Sequence, residues 1–271
     1  MLKSWTAMFA AGSVISLLVV VSSTSALRGQ PQPGLAVASA GSIHLALGNP
    51  SGATEDPANK DNFLVSKPQY ALSYNDANGI ANWVSWRLNK NDLGIQGRCK
   101  DSRGRDFFAA DDSLPTGFKQ IKPDEYDFPV NGFDRGHMAP SADRTANRPD
   151  NCATFLMTNM VPQRPNLNRQ VWESLESDSR QLVTRNGREL YIIAGPGTKR
   201  GTIADNRVMV PASTWKVVVV LDAPELGLAG VNRNTRVIAV NMPNTKTISG
   251  NWRSYLVNVD QIEALTGLDL L

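Results

Sequence analysis

The 271-residue chain is predicted to fold as one α+β domain. Three observations support this. Segments rich in Val and Ile recur along the chain, one long amphipathic segment lies near its middle, and no internal repeat or Pro/Gly-rich linker interrupts residues 63–271. A composition of 41% apolar and 20% charged residues is ordinary for a globular protein and excludes wholesale disorder. With 28 Lys+Arg against 25 Asp+Glu, the net charge of +3 does not by itself mark a nucleic-acid protein, so any basic surface must be local. Two cysteines exclude a disulfide scaffold and a four-Cys zinc site. His44 and His137 are the only histidines.

The elements follow in order. Residues 1–26 read as a signal peptide: Lys3 is followed by an apolar run to Val21 and small residues to Ala26. The run is shorter than the roughly 17–25 apolar residues that an uncleaved anchor would need. Export to the periplasm or the medium follows, and an oxidising compartment would allow a Cys99–Cys152 disulfide; two buried thiols are the equal alternative. Residues 27–62, poor in bulky apolar side chains, read as a flexible lead-in in which His44 is exposed. Tyr70–Tyr74 and Trp83–Leu88 read as strands around a polar turn, and residues 98–106 as a basic loop. Thr154–Met157 reads as a short strand. Asn166–Arg185 reads as a helix ending at Asn186-Gly187. Glu189–Ala194, Trp215–Leu221 and Arg236–Asn241 are strong strands, with Trp252–Val257 a further one. Asp260 is expected to cap a last helix stopped by Gly267. Trp83, Trp86, Trp215 and Trp252 fall in these patterns and are assigned to the core rather than to base stacking.

The densest polar cluster is Asp134-Arg135-Gly136-His137, continuing to Asp143-Arg144. His137 has a side chain suited to base chemistry near neutral pH, Arg135 is a planar fork suited to phosphate, and Gly136 permits a sharp bend. On the predicted helix, Asn168, Glu176 and Arg180 project at about 0°, 80° and 120°, on one side. An exposed Glu176–Arg180 ion pair at i,i+4 is the plain alternative for that face. Residues 135–169 hold five Arg against two Asp, a local basic excess.

Asp134–Arg144 resembles the active-site signature of the sugar-non-specific DNA/RNA endonucleases, the ββα-metal superfamily that includes mitochondrial endonuclease G. Thr154–Met160, Pro162-Gln163, Asn168-Arg169, Trp172, Glu176 and Arg180 continue the resemblance, which runs from about Asn82 to the C-terminus and is close to secreted cyanobacterial members. It implies a central, mainly antiparallel sheet carrying a ββα-metal motif. By position, it implies His137 as general base, Asn168 as the single protein ligand of Mg²⁺ (Mn²⁺ being the alternative), and Glu176 as holder of the metal's water shell. Arg135 and Arg180 are implied as phosphate contacts, with Arg103 or Arg105 as an upstream arginine. The implied activity is hydrolysis of DNA and RNA to 5′-phosphate products, with contacts to the phosphate backbone that carry no sequence information. A protein inhibitor in the producing cell is a further implication. The rival readings are a non-catalytic nucleic-acid-binding module on the same fold and a phosphodiesterase for small esters.

Overall fold

The structure, a computed structural model, describes residues 42–126 and 128–271. The predicted signal segment lies outside them. Among the described residues no helix is long and apolar enough to cross a membrane.

The first half of the domain contains β1 (Phe63–Ser66), β2 (Ala71–Asn75), β3 (Ile80–Leu88), the single turn α1 (Phe128–Asn131), β4 (Asp134–His137) and α2 (Arg148–Ala153). β5 (Met160–Gln163) follows, and a π-helical stretch, Leu167–Trp172, runs directly into α3 (Glu173–Thr184). Next come β6 (Glu189–Pro196), β7 (Lys199–Ile203), β8 (Val208–Pro211), β9 (Ser213–Leu221) and β10 (Arg236–Pro243). The two-residue β11 (Leu256–Val257) and α4 (Val259–Thr266) complete the chain.

Seven strands form one sheet in the order β1-β2-β3-β6-β9-β10-β11, every pairing antiparallel. Its central strands are apolar on both faces because both faces are covered. Along β9, alternate residues point to opposite sides. Val218 and Val220 pack with Trp86, Trp172, Leu175 and Val183, the layer that includes α3. Trp215 and Val217 pack with Trp83, Ile262 and Leu270, the layer that includes α4. The four tryptophans assigned to the core are all buried.

β4 and β5 form a separate antiparallel pair, with Asp134 opposite Gln163 and His137 opposite Met160. The chain then enters the helix that carries Asn168 and Glu176, giving the ββα order expected of the motif.

Several readings are corrected. Residues 42–62 are packed rather than flexible: Trp83 Nε1 donates to Ser51 Oγ, and Thr54 bridges Phe63. His44 is buried, its Nε2 donating to Pro68 O at 2.8 Å and its Nδ1 accepting from Arg87 N at 3.1 Å. Thr154–Met157 is no strand. Thr154 closes α2, and the buried Asn159 amide binds Thr154 O and Ala139 O, folding this segment inward. Trp252–Val257 is mostly a 3₁₀ turn, with only Leu256–Val257 extended. The last helix is capped by Asn258 in a reciprocal box with Gln261, and Gly267 ends it at φ 73°. Cys99 and Cys152 form a disulfide.

Candidate active site

Asp134 and His137 lie at opposite ends of β4. Asp134 reaches the helix, where its Oδ2 accepts from Asn168 Nδ2 at 2.9 Å and its two oxygens take a bidentate pair from Arg169. The Asn168 amide is thereby oriented nitrogen-first toward the strand. Its carbonyl Oδ1 makes no hydrogen bond to any described residue. Gly136, between them, lies in extended strand without positive φ. It is needed for space rather than for a bend: a Cβ there would stand 2.1 Å from Gln163 Oε1.

His137 is set against two rings, edge-on to Phe155 at 4.9 Å and tilted to Phe108 at 5.8 Å. Its Nε2 is buried with no hydrogen-bond partner among the described residues. Burial, reinforced by the Arg98 charge and opposed by Asp106, lowers its pKa from 6.5 to about 3. The imidazole is therefore neutral at physiological pH, the form that can take a proton. The backbone after it is held by Asn159, whose carbonyl oxygens accept from Met138 N and Ala139 N.

Arg135 donates from Nε to Pro123 O and stacks over Phe108 at 4.9 Å. Arg180 donates to Asp143 Oδ1 at 3.0 Å, and Trp86 Nε1 donates to Asp143 Oδ2. Asp143 therefore positions Arg180 from within the core. Glu176 does not form the exposed pair with Arg180. Its Oε1 accepts from Lys216 Nζ at 3.1 Å, and Lys216, on β9, is 1% exposed beneath Trp172 at 4.1 Å and Trp86 at 5.4 Å. Burial pushes the Glu176 carboxyl up and the Lys216 ammonium down, each opposed by the other's charge.

Arg103 stands exposed at the tip of its loop, without a side-chain hydrogen bond or ion pair among the described residues. Arg105 is tied to Asp101 in an exposed i,i+4 pair. The arginine whose charge reaches His137 is Arg98, which lies over Phe155 at 4.8 Å and binds Asp106 through Nε and Nη2. Sequence reasoning missed it because position along a loop does not tell which residue folds back. The disulfide at the adjacent Cys99 makes that choice by tying the loop to α2, three residues before Phe155. Asp143 and Lys216 were missed too. For Lys216 there was a signal: one lysine inside an otherwise apolar strand must find a buried partner.

Residues 47–271 match the family model for DNA/RNA non-specific endonuclease. The chain belongs to that family. It is 48% identical to a nuclease of Nostoc sp. over 95% of this chain and 91% of the relative. It is 31% identical to human mitochondrial endonuclease G over 76% and 68% of the respective chains. Among solved structures it resembles EndoG as seen in the EndoG/EndoGI complex, with a TM-score of 0.66 and 25% identity, covering 83% of this chain and 89% of that one. The chain is therefore an endonuclease, and its sheet and ββα unit are those of this family's fold.

Proposed function

We propose that this endonuclease is exported and hydrolyses phosphodiester bonds of DNA and RNA alike, with His137 as general base and Asn168 as the protein ligand of a divalent cation, Mg²⁺ first and Mn²⁺ as the alternative. The observation that carries this reading is the ββα unit: one strand presents a neutral, ring-packed His137 at one end and orients the Asn168 amide from the other.

The residues fit a hard cation. Asn168 offers an oxygen whose direction is set by the Asp134 bond, and Glu176 is a buried carboxylate on the same helix, suited to bind metal waters. A cation held here by the Asn168 oxygen would keep most of its water, as Mg²⁺ prefers. When bound, the cation supplies charge neutralisation at the phosphate and at the departing 3′ oxygen.

The protein's own groups do the rest. His137, held proton-free by burial, removes a proton from the attacking water. Arg135, Arg180 and Arg98, the last in place of Arg103, stabilise the charge that grows on the phosphoryl oxygens. Glu176 is kept in place by Lys216, and Arg180 by Asp143. Backbone contacts of this kind do not distinguish sugars or bases. The products carry 5′-phosphate and 3′-hydroxyl ends. Export rests on the pattern of residues 1–26. A protein inhibitor in the producing cell remains part of the proposal, supported by the inhibitor complex of the EndoG relative.

Plasmid and RNA digestion by the purified protein, with Mg²⁺ and EDTA arms and with His137→Ala and Asn168→Ala alongside, tests the assignment. Both substrates should be degraded only with metal, and both variants should lose most activity. A wild type that is inert with either metal but still binds DNA would refute it.

A further inference from the structure

Arg164 and Arg200 differ from the other arginines around the site. Arg169 is neutralised by Asp134, Arg180 by Asp143 and Arg98 by Asp106, whereas neither Arg164 nor Arg200 has a carboxylate partner among the described residues. Backbone carbonyls hold them instead. Arg164 Nη1 donates to Gly132 O at 3.0 Å, and its guanidinium lies over the Phe133 ring at 3.9 Å. Arg200 Nη1 donates to Asn244 O at 3.1 Å.

Both are joined to one support. Asn244 is fully buried, its Oδ1 accepts from Arg164 N at 2.7 Å, and its Nδ2 binds Pro162 O and Pro211 O. It thus locks the ends of β5 and β8 together, holding the backbone of Arg164 and the Nη1 of Arg200. Burial and the Arg200 charge both disfavour the charge on Arg164. Anchored guanidinium groups that no carboxylate neutralises are planar forks suited to a phosphate. Each is anchored through Nη1, which leaves further N–H donors of the fork available. The position relative to the reaction is also set: Asn168 N donates to Arg164 O, placing Arg164 one helical turn, about 6 Å, before the metal-ligand position.

We propose that Arg164 and Arg200, on the Asn244 support, form a subsite for a backbone phosphate of the substrate strand neighbouring the one that is cleaved. This rests on the endonuclease reading above. It makes the enzyme bind polymer better than a single phosphodiester, through a contact that the catalytic residues do not make.

The test is binding of a fluorescent single-stranded oligonucleotide in EDTA, read by anisotropy across a salt series, for wild type, Arg200→Gln and the Arg164→Gln/Arg200→Gln double variant. Arg233→Gln, at the opposite end of β10 from Asn244, is the charge control. One lost phosphate contact should flatten the slope of log K against log[salt] by about 0.7. The double variant should show that loss, Arg200→Gln part of it, and Arg233→Gln none. With metal, the double variant should raise KM on long DNA and leave turnover of a small chromogenic diester unchanged. Arg200 is exposed, so its variant keeps the test valid if the double variant proves unstable. A wild-type slope in both variants, with the enzyme fully active, overturns the subsite alone. A wild type that neither binds nor cuts polynucleotide overturns the endonuclease reading and the subsite with it.

Discussion

Replacing Lys216 by methionine keeps an unbranched apolar stem as far as Cε and removes the ammonium. The Lys216 side chain is 2% exposed and that of Glu176 11%, so the carboxylate left behind has little water to turn to. Breaking a buried ion pair from one side costs about 3–5 kcal/mol. Coulomb's law at 3.1 Å with an effective dielectric constant of 20 gives about 5 kcal/mol, a consistent ceiling. Of the other charged neighbours Asp143 raises the Glu176 pKa and Arg180 lowers it, so the expected loss stays within that range, about 3–5 kcal/mol. Its sign with pH follows from the carboxyl. Burial raises the Glu176 pKa, and loss of Lys216 raises it further, so Lys216→Met should be most damaging at neutral and alkaline pH. The deficit should shrink as acid neutralises Glu176. Urea unfolding at pH 7.5 and pH 5 measures both effects. The Lys216→Met/Glu176→Leu double variant should recover stability to within about 1 kcal/mol of wild type, while nuclease activity stays lost. A single variant within about 1 kcal/mol of wild type at pH 7.5, on the scale of an exposed pair, or a loss indifferent to pH, would refute the claim that this pair is a buried, mutually dependent unit.

The two histidines predict acid sensitivity. Their folded pKa values, about 4 for His44 and about 3 for His137, lie below the usual 6.5, so their contribution is complete above pH 6.5 and is lost as pH falls toward the folded values. Each costs about 1.4 kcal/mol per pH unit in that window, and His44→Gln should remove about half of the dependence seen in urea unfolding between pH 6.5 and 4.5. In the pH–rate profile, the acid limb of kcat/KM should lie below the ordinary histidine range, and Arg98→Gln should move it upward by removing a charge that opposes protonation. Arg98→Gln should also lower kcat/KM by about a hundredfold, whereas Arg103→Gln and Arg105→Gln should change it little; steady-state kinetics on DNA separates the three. The disulfide closes a loop with a sequence separation of 53, worth about 4 kcal/mol of unfolded-chain entropy. Cys99→Ser/Cys152→Ser should accordingly lower the unfolding midpoint and, by releasing the Arg98 loop, activity as well.

Much of the fold could be read locally. Val- and Ile-rich runs became β6, β9 and β10 within a few residues of their expected bounds, because β-branched side chains suit a covered pleated surface wherever they occur. The 166–185 segment formed its helix, and Gly187 left it at φ 66°, because periodicity and stop chemistry act over a few residues. The errors fell where polar residues take distant partners. His44 looked like tail composition but is held by Pro68 and Arg87, and Thr154–Met157 looked like a strand but is folded inward by Asn159.

The sequence by itself determined the family, the α+β class and the tryptophan core, since each is written in adjacent residues or in a short period. Only the tertiary structure decided which charges are joined. Glu176 found Lys216 rather than Arg180, Arg180 found Asp143, and Arg98 rather than Arg103 reached His137. These pairings span tens of residues and depend on which face of a helix meets which strand of the sheet. Burial then sets their strength, because it removes the water that would otherwise screen each charge and make the choice of partner immaterial.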